Sequence, residues 1–285
     1  MQPIYTTEVC KPAYQLRWSL ALFPDKILPS GDNWLSQLTA LTEPDGIRVL
    51  GTYQNEKRCL FLLLSTKTHV KPSSIVRAVK GRVVAILRET QSNWRRNFRL
   101  TSIGNANADT VEDYVAKQLF HHREKYTTSQ IATLMNYQWS DPRVDLNAPV
   151  FSSHSQYVLA MHVALVHAER FPIAAPSFIE KTQKAILATA AKKGHSISRI
   201  GLLTEHVHFT LKFDYETSPQ DVALAYMNNI SYCHGMIRLW MDSFYVGTIG
   251  PYDMDAVRRR MAGGESASHR LEVGGDAGLD SSDCS

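Results

Sequence analysis

The first place where side-chain type and spacing could do chemistry is EHVHFTL, Glu205 to Leu211, a run of strand-forming residues holding two histidines one residue apart. Side chains two apart on a strand share a face, so His206 and His208 point one way and Val207 the other. Two imidazoles at that spacing can hold one divalent ion, although half-exposed strand histidines would read the same. The second candidate is YVAKQLFHH, Tyr114 to His122, in which Tyr114 and Gln118 stand at i and i+4 of a helical pattern and project from one face. A tyrosine hydroxyl can attack a phosphate when a cation stabilises the charge, and a carboxamide oxygen can serve that cation as a third ligand. The plainer reading makes Tyr114 a packing residue and Gln118 a solvated one. Tyr126 and Tyr137 are rival tyrosines, neither in the helix that the repeat described next picks out.

These two candidates lie in different halves of a chain that repeats itself. Trp94 and Trp240 anchor the match, 146 residues apart, followed in step by Phe98 and Phe244, Ser102 and Thr248, Ile103 and Ile249, Gly104 and Gly250, and Val111 and Val257. At the same offset Tyr114 falls on Arg260. Ahead of each tryptophan, EHVHFTL is matched by KRCLFLL, Lys57 to Leu63, which sets Arg58 and Leu60 against His206 and His208. The histidine pair survives only in the second copy and the tyrosine only in the first. If these groups belong to one site, the chain holds one complete site assembled across its halves, and a mirror-image site with no nucleophile.

The elements that must position these residues follow from periodicity and punctuation. In the first half we expect a strand at 14–23, a helix at 33–42, strands at 47–53 and 59–65, and a helix opened by Pro72. A strand ending at Gly104 comes next, then a helix started by Asp109 with Glu112 in a capping-box spacing. The second half repeats the order: a strand at 156–167, a helix from Pro176 to Gly194, and strands at 196–203 and 206–213. A helix capped by Ser218, a strand at 244–250 and a short helix at 253–261 complete it. Each half thus reads as an α+β unit, helices packed on a largely antiparallel sheet. Residues 1–139 and 154–262 form the two units, 140–153 a polar linker, and 263–285 a disordered tail poor in large apolar residues.

Together these strings resemble the single-tyrosine HUH transposases, the TnpA-like and REP-associated tyrosine transposases of insertion sequences. HVHFTL, a Ser-Pro-opened helix and W-x-x-x-F-Y-V-G-T-I-G carry the likeness in the second half; KPSSIVRAVKG, W-x-x-x-F-x-x-x-S-I-G and YVAKQLFHH carry it in the first. The resemblance implies two tandem copies of a ferredoxin/RRM-like HUH domain, fused where the family forms homodimers. It implies that His206, His208 and Gln118 hold Mg2+ or Mn2+ on a phosphate of single-stranded or hairpin DNA. Tyr114 would then be the nucleophile, leaving a 5′-phosphotyrosine and a free 3′-OH that a strand-joining step reverses. The site opposite, with Arg58, Leu60 and Arg260, is expected to be dead.

Charge and composition are compatible with that expectation. The net charge is +4 over 285 residues, a modest basic excess that permits a nucleic-acid partner. Candidate phosphate contacts are Arg77, Lys80 and Arg82 along one helix, Arg95 and Arg96 beside Trp94, and Arg258, Arg259 and Arg260 where the second tyrosine would stand. The four cysteines are scattered, which argues against a disulfide framework or a zinc site. With no basic segment leading into an apolar core at the N-terminus and no apolar run long enough for a bilayer, a soluble, cytoplasmic chain acting as an intramolecular pseudo-dimer is expected. A non-catalytic DNA-hairpin-binding protein is the alternative.

Overall fold

The computed structural model describes residues 2–26, 28, 33–54, 59–88 and 93–262; of residues 260–262 only the backbone is described, and the expected tail lies outside these ranges. The first half contains β1 (Lys11–Gln15), β2 (Arg17–Pro24), α1 (Asn33–Thr42), β3 (Ile47–Gln54), β4 (Leu60–Thr66), α2 (Pro72–Ile86), β5 (Trp94–Ile103), α3 (Ala108–His121) and α4 (Thr128–Asn136). There follow β6 (Trp139–Ser140), β7 (Val150–Ser152), β8 (Ser155–Val158), β9 (Ala160–Val166), α5 (Pro176–Lys193), β10 (Ser196–Leu202), β11 (His206–Lys212), α6 (Pro219–His234), β12 (Ser243–Ile249) and α7 (Met254–Ala262). This is an α+β architecture with two six-stranded sheets, ordered β3-β4-β2-β5-β8-β7 and β1-β12-β9-β11-β10-β6.

Four consecutive strands of each sheet, β3-β4-β2-β5 and β10-β11-β9-β12, come from one half and take the same order, every neighbouring pair among them antiparallel. The outer strands are exchanged. β1, from the first half, pairs parallel with β12 of the second sheet, while β8 pairs parallel with β5 of the first. The run expected as one strand at 14–23 is therefore two strands in two sheets, with the chain crossing at Leu16, which is fully buried. The run at 156–167 divides in the same way at Leu159, also buried. Periodicity misses both crossings because a residue buried between two sheets is as apolar as its neighbours.

Residues matched by the repeat meet each other where the halves join. Ser102 donates to the Ile249 carbonyl at 2.6 Å, and Thr248 donates to the Ile103 carbonyl at 2.7 Å. Ser102 Oγ also accepts from Ala160 N at 3.0 Å, and Thr248 Oγ1 from Arg17 N at 2.8 Å. Ala108 N donates to Gly250 O and Met254 N to Gly104 O. The two glycines allow this approach: a Cβ on Gly104 would stand 2.7 Å from the Thr248 carbonyl oxygen, and one on Gly250 would run into the Ser102 carbonyl. Reciprocal contact of equivalent residues is the signature of an isologous interface, here within one chain.

Local differences from the sequence expectations have identifiable causes. The cap of α3 is Asn107, whose side chain accepts from Thr110 N at 2.9 Å, rather than Asp109. The segment expected as a linker carries Ser140 in β6, paired with β10, and β7, paired with β8. Helix α4, which the sequence reading passed over, starts on a capping box of Thr127 and Gln130. One cluster of buried side chains runs from Trp18 and Leu20 through Val163, Phe209 and Trp240. No described helix is long and apolar enough to cross a membrane.

Candidate functional site

The helix carrying Tyr114 lies on the sheet carrying the histidine pair. Glycine makes this approach close: Gly201 of β10 pairs with His208 of β11, and a Cβ at Gly201 would stand 2.9 Å from the Val115 carbonyl oxygen of α3. A side chain there would lift the helix off the sheet. Glu112, one turn earlier, ties α3 down by accepting from Ser198 of β10 and from Thr210 of β11, the latter at 3.4 Å. Leu119 and Val115 bury the apolar face of α3.

This packing brings together residues about 90 positions apart in the chain. The Tyr114 ring lies 5.8 Å from the His208 ring, edge-on at 90°, and the His206 and His208 rings are 5.0 Å apart. Tyr114 is 47 % exposed, so its ring is open to a large substrate. Gln118 is 1 % exposed, and both polar atoms of its carboxamide are buried with no hydrogen-bond partner. The strand pattern is as expected: Val207 is buried and the two histidines lie on the opposite face, half-covered by α3.

Burial favours the neutral form of both histidines of the pair. His206 is pushed down to about 4, chiefly by burial and partly by the neighbouring His122, Lys125 and Arg170, against the pull of Glu205. Burial likewise pushes His208 well below the ordinary range, with His162 and His206 adding to it. Neutral imidazole is the form that binds a cation. Among the described residues no group of three or more His, Cys, Asp or Glu side chains is arranged to hold a metal ion. The Gln118 carboxamide, buried with an unpartnered oxygen, is a further neutral donor of the kind that a cation takes beside imidazoles.

Several residues around the pair were not singled out by sequence reasoning. His162 of β9 places Nε2 2.9 Å from His208 Nδ1, the two ring planes inclined by 19° and their centroids 5.1 Å apart. Glu205 lies 3.6 Å from His206 Nδ1 and accepts from Thr204 at 2.7 Å and from the Tyr126 hydroxyl at 2.9 Å. His122 sits edge-on to His206 at 5.4 Å, and Tyr245 packs against His162 at 5.5 Å. A histidine inside an apolar strand, MHVALV, gives no local signal of function. Its neighbour on β11 is known only from the pairing of the sheet.

The rival tyrosines are placed otherwise. Tyr126 is followed by Gln130 at the same i+4 spacing, but Gln130 closes the cap of α4 and the Tyr126 hydroxyl is given to Glu205. Burial raises that phenol to about 12. Tyr137 is a partly buried packing residue whose carbonyl accepts from Gln183.

The basic residues singled out in the sequence stand on other elements than the histidine pair. Lys80 is held between α2 and β5, donating to the carbonyls of Arg95 and Arg96 at 2.6 and 2.9 Å. Arg96 and Arg99 are exposed along β5, whereas Arg82 pairs with Asp45 at 2.6 Å. Arg258 and Arg259 are exposed on α7, with Arg258 3.8 Å from Asp255, and Arg260 follows in the same helix. Of the mirror-image residues, Arg58 lies outside the described ones, and the pairing corrects the match for His208. Phe61 pairs with Ala21, which pairs with Arg99, as His208 pairs with Ala164 and that with Tyr245. Arg99 and Tyr245 stand at the repeat offset, so Phe61 rather than Leu60 occupies the place of His208, and Leu60 is buried in the core.

No protein family matches this chain, and no curated protein matches it in sequence. Among solved structures it is similar to a REP-associated tyrosine transposase bound to a REP hairpin, at 12 % identity and a TM-score of 0.30 over 36 % of this chain; the chain spans 62 % of that transposase's length. It is also similar to the aspartate kinase of Clostridium acetobutylicum, at 8 % identity and a TM-score of 0.20, covering 78 % of this chain and 33 % of the kinase. A third likeness is to the regulatory subunit of aspartate kinase from Thermus thermophilus, at 12 % identity and a TM-score of 0.18, covering 76 % and 93 %.

Proposed function

We propose that this chain is a metal-dependent endonuclease and transesterase of single-stranded DNA, built from two tandem ferredoxin/RRM-like HUH units, 1–139 and 154–262, that exchange outer strands. The observation that carries this reading is the Tyr114 ring, from the first half, 5.8 Å from the His208 ring of the second. Support also comes from the sequence strings shared with the single-tyrosine HUH transposases and from the unpartnered Gln118 carboxamide.

His206, His208 and Gln118 would hold Mg2+ or Mn2+, which when bound neutralises charge on the phosphate under attack. Glu205 orients His206, and α3 presents Tyr114 from a helix that Glu112 and Gly201 fix to the sheet. The phenol loses its proton and its oxygen bonds to phosphorus. The bond to the 3′ oxygen breaks, and that oxygen takes up a proton as the free 3′-OH. Attack by a 3′-OH on the 5′-phosphotyrosine reverses the step and returns the proton to tyrosine. With Phe61 in place of His208 and Arg260 in place of Tyr114, the opposite site has neither a histidine pair nor a nucleophile. One chain therefore acts as an intramolecular pseudo-dimer with a single active site.

Incubation with labelled single-stranded or hairpin DNA and Mn2+ tests the proposal: wild-type chain forms an adduct stable in denaturant. Tyr114→Phe and His208→Ala each lower adduct formation by about 10^4-fold or more, the scale of loss when a nucleophile or its activating group is removed. Adduct formation by Tyr114→Phe at the wild-type rate sinks the composite site. DNA binding by wild type with no adduct under any divalent metal favours the non-catalytic hairpin-binding reading instead.

A further inference from the structure

We infer that His162 is a positioning residue that fixes the tautomer and aim of His208, an inference resting on the proposed role of His208 as a cation ligand. His162 Nε2 lies 2.9 Å from His208 Nδ1, so the Nδ1 side of His208 is occupied and Nε2 is the ring nitrogen left for a cation. A neutral imidazole that gives Nε2 to a cation must carry its proton on Nδ1. That proton then points at His162 Nε2, which must accept it, so His162 must carry its own proton on Nδ1. The two rings are thereby locked in one arrangement, each as the Nδ1–H form.

The surroundings of His162 are built to hold its ring there. It is 8 % exposed, and Gly247, its partner on β12, presents no side chain. Tyr245 closes against the ring at 5.5 Å, and Tyr114 approaches its edge at 6.3 Å. The pairing of the first-half sheet puts Ser19 at the equivalent position, between Leu63 and Thr101 as His162 lies between Thr210 and Gly247. A histidine thus stands at this position in the half that keeps the pair and is lacking in the half with Phe61. His206 has a different anchor, the Glu205 carboxylate. Partners that orient metal-bound histidines in this way are worth about 10- to 100-fold in metal affinity.

The ring nitrogens of the metal-free chain, followed by 15N-edited NMR, test the inference without any substitution. Both His162 and His208 are expected in the Nδ1–H form, and a His208 protonated on Nε2 overturns the inference. Mn2+ affinity, followed by electron paramagnetic resonance of the free ion, gives the second readout. His162→Leu is expected to weaken Mn2+ binding by about 10- to 100-fold. His162→Gln, whose carboxamide oxygen can accept the same proton, should stay near wild type. Equal Mn2+ affinity in folded His162→Leu and wild type overturns the inference alone. A wild-type chain that binds no Mn2+ and forms no adduct overturns it together with the proposed function. Should His162→Leu fail to fold, the tautomers of the wild-type chain still decide.

Discussion

Gln118 is a buried carboxamide without a hydrogen-bond partner, and packing alone does not account for it. An unsatisfied buried polar group costs about 1–3 kcal/mol, and its replacement by an apolar side chain of similar size is neutral or stabilising. Gln118→Leu is therefore expected to raise stability by about 1 kcal/mol in urea unfolding while lowering Mn2+ affinity. Lower stability with unchanged Mn2+ binding would instead make Gln118 a packing residue. His206, His208, Tyr114 and Gln118 were singled out in the sequence because each belongs to a short string whose spacing has a chemical meaning, and the fold brings the tyrosine and the histidine pair together. His162 and Glu205 were not singled out, since their roles depend on the strand or loop beside them. The basic residues gave the least: Lys80 reads as a surface cation, but its ammonium is committed to two carbonyls.

At the scale of elements, the position of α3 on β10 decides whether tyrosine and histidines meet. Gly201 is the point of contact, and a side chain there has to displace the Val115 carbonyl or the helix. Gly201→Val is expected to cost about 1–3 kcal/mol of stability through overpacking. A helix displaced by about 1 Å loses about 10^2-fold in the rate of adduct formation. A wild-type rate in that variant would show that Tyr114 is aimed by something other than this contact. The starts of α2, α5 and α6 were read from Pro or Ser, the end of α5 from Gly194, and α1 from its apolar spacing. Where a strand changes sheet, at Leu16 and Leu159, sequence has no punctuation to offer.

Across the whole molecule, the two sheets are held by a seam of matched residues. Ser102 satisfies both the Ile249 carbonyl and the Ala160 amide, so Ser102→Ala leaves two buried backbone groups without a partner. The expected loss is about 1–3 kcal/mol in denaturant unfolding, and an unchanged midpoint would show that the seam contributes little. Stability should also depend on pH through other buried and half-buried histidines. His167 and His195 are pushed below the ordinary 6.5 by burial, and His234 to about 4 by burial and then by Lys181 and His167. Each takes up its proton at lower pH in the fold than in the unfolded chain, so the unfolded chain binds more protons as pH falls below 6.5. Stability is full above that pH and declines as pH falls from 6.5 towards 4, which unfolding midpoints across that range can check.

What the sequence determined by itself was local: the type and spacing of the candidate groups, most helices and strands, and a repeat in which one copy keeps the histidine pair and the other the tyrosine. Those properties depend on periodicity and on residues within a few positions of one another. Only the tertiary structure decided which strand lies beside which, and with it the exchange of β1 and β8, the place of Phe61 opposite His208, and the neighbours His162 and Glu205. Strand pairing is set by burial and backbone hydrogen bonds between residues far apart in the chain, so no window of sequence contains it.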